Sequence, residues 1–299
     1  MPVLSSRAVT LATTPLSVRM VVTALGHAAS RFRRHRGFLL AGALAFSVAS
    51  CLAPMLLVLL SVAGFLLERD ELAVRIFDAV VLAFPGYGTE AAQLVGLLVT
   101  ERRVTGLVGT VGLAVFATPL FALLRTIVNT AFGVRRRRGA VHGFFFDLGV
   151  VVALGTAWTL MVAALIALRW LGDALGHELG IGWLTSPDLR LLGFTVLTFA
   201  AGSATLLFVY GVFPNVRVAL APTAATALAM MAIWEVARVV FGSYVVLFGV
   251  YGRLYGSLGI VVASLVWLYY STVLVVFGAE LAAVANGAAA SDDDGAPAR

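Results

Sequence analysis

Long apolar runs alternate with short charged segments along the whole of this 299-residue chain. A helix of about 20 apolar residues crosses a hydrocarbon layer about 30 Å thick. Six runs are close to that length or longer, and their bounds are 37–67, 104–124, 148–168, 191–213, 218–234 and 254–279. The pattern predicts an all-α fold, a polytopic membrane helix bundle with six transmembrane helices plus short interfacial helices.

The first two runs contain residues that shape helix packing. Pro54 and Pro119 each remove a backbone hydrogen bond from a helix interior, so we expect a bend at both. In the second run, Gly106, Gly109 and Gly112 recur at every third residue. Small residues on one face of a membrane helix let a second helix approach closely, and we expect such a contact here.

The same pattern divides the chain into three regions. Residues 1–36 form a basic N-terminal segment, in which residues 16–29 are either an interfacial helix or disordered. Residues 37–282 form the transmembrane domain, and its stretch 70–103 has charges at helical spacing, which predicts an outer amphipathic segment. Residues 283–299 predict a disordered acidic tail, because aspartates stand there among Gly, Ala and Pro.

Charge predicts the orientation of the protein in the membrane. Only 12% of the residues are charged, the net charge is +6, and all 21 basic residues are arginine. Arginines are dense before the first run and at residues 135–138, whereas acidic residues offset most of those on the alternate side. Because positive loops stay in the cytoplasm, we expect both termini to be cytoplasmic.

Residue patterns for soluble-type catalysis are missing from the sequence. The four histidines lie in flanks and loops, no His/Cys spacing is typical of zinc, and no glycine-rich phosphate loop is present. Cys51 is the only cysteine, which excludes an intramolecular disulfide. We therefore expect no cofactor, no metal site, no nucleic-acid partner and no enzymatic activity.

Polar groups gather at the ends of the runs, while the middles contain hydroxyls but no carboxylate, histidine or arginine. Ion-coupled pumps use ionisable groups at that depth, so the pattern favours a lipid-like amphiphile as cargo, or no cargo. The candidate contacts for a lipid headgroup or substrate lie at the cytoplasmic end: Arg125, Asn129, Arg135, Arg136, Arg137, Arg138, Asn215 and Glu280. Alternatively, the arginines only orient the protein.

At the outer end of the fifth run, Glu235 and Arg238 stand three residues apart and share a helix face. We expect either an ion pair or two side chains that reach separately to the membrane interface. The residues that follow, 241–259, are rich in glycine and tyrosine, which predicts a partly re-entrant outer connection. Its candidate residues are Tyr244, Tyr255, Gly256, Ser257 and Gly259.

Four blocks of the sequence resemble the YihY and BrkB family of bacterial inner-membrane proteins, which includes the YhjD-like envelope integrity proteins. They are RGFLLAGALAFSVASCLAPMLLVLLSVAG (36–64), LLRTIVNTAFGVRRRRG (123–139), FVYGVFPNVRV (208–218) and FGSYVVLFGVYGRLYGSLGIVVASLVWLYYSTVLVVFGAEL (241–281). By similarity, the family pattern includes Asn129, Gly133, Pro214, Asn215, Tyr244, Tyr255, Gly256, Ser257, Gly259 and Glu280. The four arginines after Val134 depart from the family, where acidic residues are frequent.

The resemblance implies six spans in the bacterial inner membrane and a role in the cell envelope, for which lipid transport is one suggestion. We expect a protein that binds, and moves, a lipid-like amphiphile, with membrane lipids as partners. The alternative is a non-transporting scaffold that docks a periplasmic or other envelope protein through residues 71–100. A ribonuclease label attached to some members lacks a catalytic constellation here. No reading fixes an oligomeric state.

Single cysteines in a Cys51→Ser background test the orientation. Because positive loops remain inside, cysteines that replace Arg36 and Arg135 should be protected from an impermeant thiol reagent in intact cells. Cysteines at Asp78 and His177 should react. Labelling of position 135 from outside would contradict the predicted orientation.

Overall fold

The computed structural model describes residues 18–66, 101–134, 149–150, 161, 187–247 and 257–287. Within these ranges the backbone forms helices and short turns and no strand. The helices are α1 (Val18–Arg34), α2 (Gly37–Leu66), α3 (Arg102–Ala131), α4 (Pro187–Val212), α5 (Leu220–Leu247) and α6 (Ser257–Ala285). The all-α fold predicted from the sequence is confirmed.

Five of these helices contain segments long and apolar enough to cross a membrane: Gly37–Val58, Arg103–Ala131, Thr195–Val212, Leu220–Tyr244 and Val262–Ala285. They correspond to predicted spans one, two, four, five and six, so the protein is a polytopic helical membrane protein. The predicted third span, 148–168, lies outside the described residues except for Gly149, Val150 and Met161, which are helical. Val150 is buried in a core cluster with residues of α3, α4 and α6.

Helix α6 lies between two helix pairs, α2 with α3 and α4 with α5. On one side the Thr272 hydroxyl donates to the Ala41 carbonyl of α2 at 2.9 Å. On the other side the Tyr210 hydroxyl of α4 donates to the Val275 carbonyl at 3.0 Å. One buried cluster joins α1, α2, α3 and α6, and a second joins α3, α4, α5 and α6. Both pairs therefore share α6 as their common support.

The α2–α3 pair packs closely because three glycines of α3 face α2. A Cβ atom added at Gly109 would lie 2.8 Å from the backbone nitrogen of Val58. Gly106 likewise faces Ser61, and Gly112 faces Pro54, so the two helices run antiparallel. The contact predicted from the glycine spacing is confirmed. Pro54 and Pro119, where we expected bends, both lie inside continuous helices.

One end of the bundle carries α1, and we call it the α1 end. Helices α3 and α4 both finish there, since the Asn129 amide of α3 lies 3.4 Å from the Phe213 carbonyl that follows α4. Helix α5 begins and α6 finishes at the same end, because the Ala219 backbone N–H donates to the Asn286 side chain at 2.8 Å. The chain thus leaves α3 at the α1 end and enters α4 at the opposite end, the arrangement that six spans require.

Two helices are longer than predicted. Helix α5 continues to Leu247, past the predicted end at Trp234, so residues 241–247 are helical rather than part of a re-entrant connection. A backbone in hydrocarbon must satisfy its own hydrogen bonds, and a helix does so even through Gly242. Helix α6 runs to Ala285, so the boundary placed at residue 282 falls inside a helix.

The residues proposed for the re-entrant connection are placed as follows. Tyr244 lies on α5 with an exposed side chain, and Ser257 and Gly259 lie in the first turn of α6. Tyr255 and Gly256 lie outside the described residues. So do the predicted outer segment as far as residue 100, and residues 1–17 and 288–299 of the two predicted terminal regions.

For residues 16–29, where the sequence left two alternatives, the described part is helical and belongs to α1. Arg33 and Arg34 on this helix are exposed, whereas Phe32 is buried. The Phe32 ring packs edge-on against Phe38 and Phe277, with centroids 4.9 and 5.9 Å away. The apolar face of α1 is therefore docked on α2 and α6.

The glycine contact predicts an asymmetric response to alanine. Gly109→Ala should lower the free energy of unfolding by about 1–3 kcal/mol, because the added methyl overpacks against α2. Gly193→Ala on α4 is the matched control, since a Cβ there meets nothing within 4 Å and alanine favours helix. Thermal unfolding in detergent should show a lower midpoint for Gly109→Ala alone. Equal midpoints would show that α2 can move away at little cost.

Candidate functional site

A carboxylate, Glu280, is buried at the α1 end of α6, with 3% of its side chain exposed. The Arg31 guanidinium of α1, itself 5% exposed, donates through Nε to Glu280 Oε2 at 3.2 Å. Removing two charges from water is costly, and attraction offsets the cost only when further hydrogen bonds satisfy the remaining polar atoms. The pair therefore depends on additional partners.

Helices α1 and α3 supply these partners. His35 Nδ1 lies 2.6 Å from Glu280 Oε1 and donates the proton, because a carboxylate can only accept. Arg31 Nη2 donates to the Ala131 carbonyl at 2.6 Å. That carbonyl lies in the last turn of α3, where C=O groups lack helical partners and carry the negative end of the helix dipole. One guanidinium thus joins α1, α3 and α6.

Two chain reversals bring these groups together. After α1, Arg36 adopts a left-handed conformation with φ of 56°, which costs a non-glycine residue about 1–2 kcal/mol. After α3, Gly133 has φ of 67°, and the N–H groups of Gly133 and Val134 donate back to carbonyls of the last turn. This is the Schellman ending of a helix, for which glycine is favoured. It ends α3 at Ala131, beside Arg31.

Asn129 links α3 to the turn between α4 and α5. Its Oδ1 accepts from the Asn215 backbone N–H at 2.9 Å. Its Nδ2 donates to the carbonyls of Arg125 at 2.8 Å and Phe213 at 3.4 Å. The buried amide thus uses its polar atoms to hold one helix pair against the other.

Asn286 makes a third link at the same end, between α6 and α5. Its Oδ1 accepts from the Ala219 backbone N–H at 2.8 Å, and its Nδ2 donates to Thr223 Oγ1 at 3.1 Å and to the Ala282 carbonyl at 2.8 Å. At the α1 end these side chains thus join α1 to α3 and α6, α3 to the α4–α5 turn, and the end of α6 to α5.

The structure separates the predicted headgroup contacts into two groups. Asn129 and Glu280 are buried and hydrogen-bonded within the protein. Arg125 on α3 and Asn215 in the turn are half-buried. Arg135, Arg136, Arg137 and Arg138 lie outside the described residues. In the ranges that the structure describes, no group of three His, Cys, Asp or Glu could hold a metal ion.

Three members of these links were missed in the sequence. Arg31 and His35 were placed among residues that only set orientation, and Asn286 was assigned to the tail. A signal was present, because Arg31 and His35 are four residues apart and share one helix face. A carboxylate in an apolar helix, such as Glu280, also requires a cation within reach.

The predicted ion pair between Glu235 and Arg238 is present, with Arg238 Nε donating to Glu235 Oε2 at 2.8 Å. The helix does not end at Trp234, as the sequence predicted, but continues beyond the pair. Both residues lie near the middle of the 28 residues of α5, and the candidate span continues to Tyr244.

A family model described as virulence factor BrkB matches residues 28–299. The chain belongs to the BrkB family. The match includes all of α2 to α6 and the part of α1 that carries Arg31. The family suggested by the four sequence blocks is thereby confirmed.

The relatives of this BrkB-family chain bear the name UPF0761 membrane protein. The one from Chromohalobacter salexigens is 29% identical over 275 residues, which cover 88% of this chain and 63% of the relative. The one from Pseudomonas aeruginosa is 28% identical over 242 residues, which cover 81% and 57%. The chain thus spans about three fifths of the length of these relatives. No solved structure matches the chain.

The buried ion pair of this BrkB-family chain predicts non-additive mutations. Arg31→Met should destabilise by about 3–5 kcal/mol, because it strands the Glu280 carboxylate away from water. Arg31→Met with Glu280→Met should recover much of that loss. Thermal unfolding in detergent measures both, with the exposed Arg33→Met as the control. Additive losses would show that the two side chains act independently.

Proposed function

We propose that this protein binds a lipid-like amphiphile in the bacterial inner membrane, with the anionic headgroup held at the α1 end. Both termini lie on the cytoplasmic side in this proposal. Its activity is binding and movement of a lipid rather than catalysis. A contribution to envelope integrity follows from that activity.

One observation supports this function above others. Among the described residues at the α1 end, six are arginines, and the only carboxylate, Glu280, is buried against one of them. The arginines are Arg31, Arg33, Arg34, Arg36, Arg125 and Arg217. The buried pair is neutral, so the other charged side chains described at this end are all positive. Anionic lipids are attracted to such a surface, with about 1 kcal/mol for each arginine close to it.

The guanidinium group also suits this ligand in shape. It is planar and presents N–H donors that match two oxygens of a phosphate at once. Arg33 and Arg217 have exposed side chains at the α1 end, on α1 and in the α4–α5 turn. The four arginines at 135–138 follow α3, which finishes at the same end. In a membrane, the phosphate groups next to these arginines are those of phospholipid headgroups.

Lipid binding by the purified protein tests the proposal. We expect an anionic phospholipid to co-purify in stoichiometric amount and to be displaced as salt rises. Replacing Arg135, Arg136, Arg137 and Arg138 by glutamine should weaken binding of phosphatidylglycerol about tenfold or more and flatten its salt dependence. Native mass spectrometry or a fluorescent phosphatidylglycerol measures both.

Arg103→Gln is the matched control, because Arg103 is exposed at the opposite end of α3. It should leave the affinity for phosphatidylglycerol unchanged. Equal binding by the fourfold variant and the unmodified protein at low salt would show that these arginines serve orientation only. Stoichiometric co-purification of an envelope protein in place of lipid would favour a scaffold.

A further inference from the structure

Two charged side chains lie within the membrane-spanning part of α5. Helix α5 has 28 residues, and any continuous run of about 20 of them, the length that spans hydrocarbon, includes residues 228–239. Glu235 and Arg238 both fall in that range. Val239 and Val240 after them have exposed apolar side chains, so the hydrocarbon continues past the pair toward Tyr244.

The contacts of α5 with α6 give the same depth. Trp234 Nε1, next to Glu235 in the chain, donates to Ser271 Oγ at 3.2 Å. Ser271 is the middle residue of α6, which runs from Ser257 to Ala285. The ion pair therefore lies about halfway between the two ends of the bundle.

Arg238 is the open member of this pair. It has 49% of its side chain exposed, against 18% for Glu235. Met231, two turns earlier on the same face, is buried against Gly202 of α4, so at Arg238 that cover has ended. A guanidinium carries five N–H donors, and within the described residues only Nε has a partner. The other four face a region where unsatisfied donors are costly.

We propose that Arg238, with Glu235, is a contact site at mid-depth for the phosphate of a phospholipid whose headgroup crosses the bilayer along α5. The end of the guanidinium opposite Nε presents two parallel N–H groups, which match two phosphate oxygens. Glu235 keeps the site neutral between passages, since an isolated arginine at this depth is costly. This inference rests on the proposed function and assigns the residues that contact the headgroup while it crosses the membrane.

The site differs from the arginines of the α1 end in the step it serves. A headgroup held at an interface has water on one side, whereas a headgroup at mid-depth has lost its hydration and is stabilised only by protein groups. A donor at mid-depth lowers the barrier to crossing.

Proteoliposomes with headgroup-labelled fluorescent phosphatidylglycerol test this. Dithionite added outside bleaches only the outer leaflet, so further loss of signal reports lipid that crosses. The unmodified protein should equilibrate the leaflets faster than protein-free vesicles. With Arg238→Gln the labelled lipid should cross about tenfold more slowly, because one charge-assisted contact is lost. Arg238→Lys, with charge but no fork, should be intermediate.

The control for a folding defect is the double variant Glu235→Gln with Arg238→Gln. It leaves no unpaired charge in the membrane, so its thermal stability should match that of the parent. Lipid crossing should also be slow with this double variant. Arg103→Gln, at an exposed arginine of the opposite end of α3, should leave the crossing rate unchanged.

Two results would overturn the inference. One is that lipid crosses at the parent rate in vesicles with a stable double variant, which would show that the pair has only a structural role. The other is no crossing by the parent above protein-free vesicles. Neither affects the proposed lipid binding, because binding of phosphatidylglycerol at the α1 end is measured separately and does not involve Arg238.

Discussion

The arrangement of the helices at the α1 end depends on one buried ion pair, Arg31 with Glu280. A carboxylate with 3% of its side chain exposed is stable there only while a cation and a second donor cover it. Both donors come from α1, and the same guanidinium closes the last turn of α3. Helix α1 is thus held in place by the requirement to neutralise α6. In this position its apolar face packs against Phe38 and Phe277 through the Phe32 ring.

Polar links and close apolar packing have different places in this bundle. Lipid chains are as apolar as leucine, so membrane helices associate through close van der Waals packing and hydrogen bonds. The α2–α3 pair uses the first means at Gly109, where α3 and α2 approach closely. Asn129 and Asn286 use the second, at the ends of the helices. The links fix which helices meet, and the glycines fix how closely.

Sequence patterns predicted the features that depend on local composition. Run length gave the helices, and glycine spacing gave the face of α3 that meets α2. Partners distant in the chain were not predictable, since Arg31 and Glu280 are 249 residues apart and several other arginines could neutralise the same carboxylate. The extent of α5 was misjudged because Glu235 was taken as the end of an apolar run. A neighbouring Arg238 cancels that charge, and the helix continues.

The ion pair of Arg31 with Glu280 and that of Arg238 with Glu235 differ in how tightly they are enclosed. Arg31 and Glu280 are covered by three helices, and Arg31 and the carboxylate have partners on more than one side, so an exchange of partner would require α1 to detach. Arg238 is half exposed and bonded to one carboxylate on its own helix. In water such a pair stabilises a helix by only about 0.2–0.5 kcal/mol. In hydrocarbon it persists because no water or other polar group competes for either charge. An arriving phosphate is a second acceptor for the Arg238 guanidinium, and the pair can separate to bind it without any helix moving. Of the two, only Glu235 with Arg238 can therefore bind and release a ligand while the bundle stays intact.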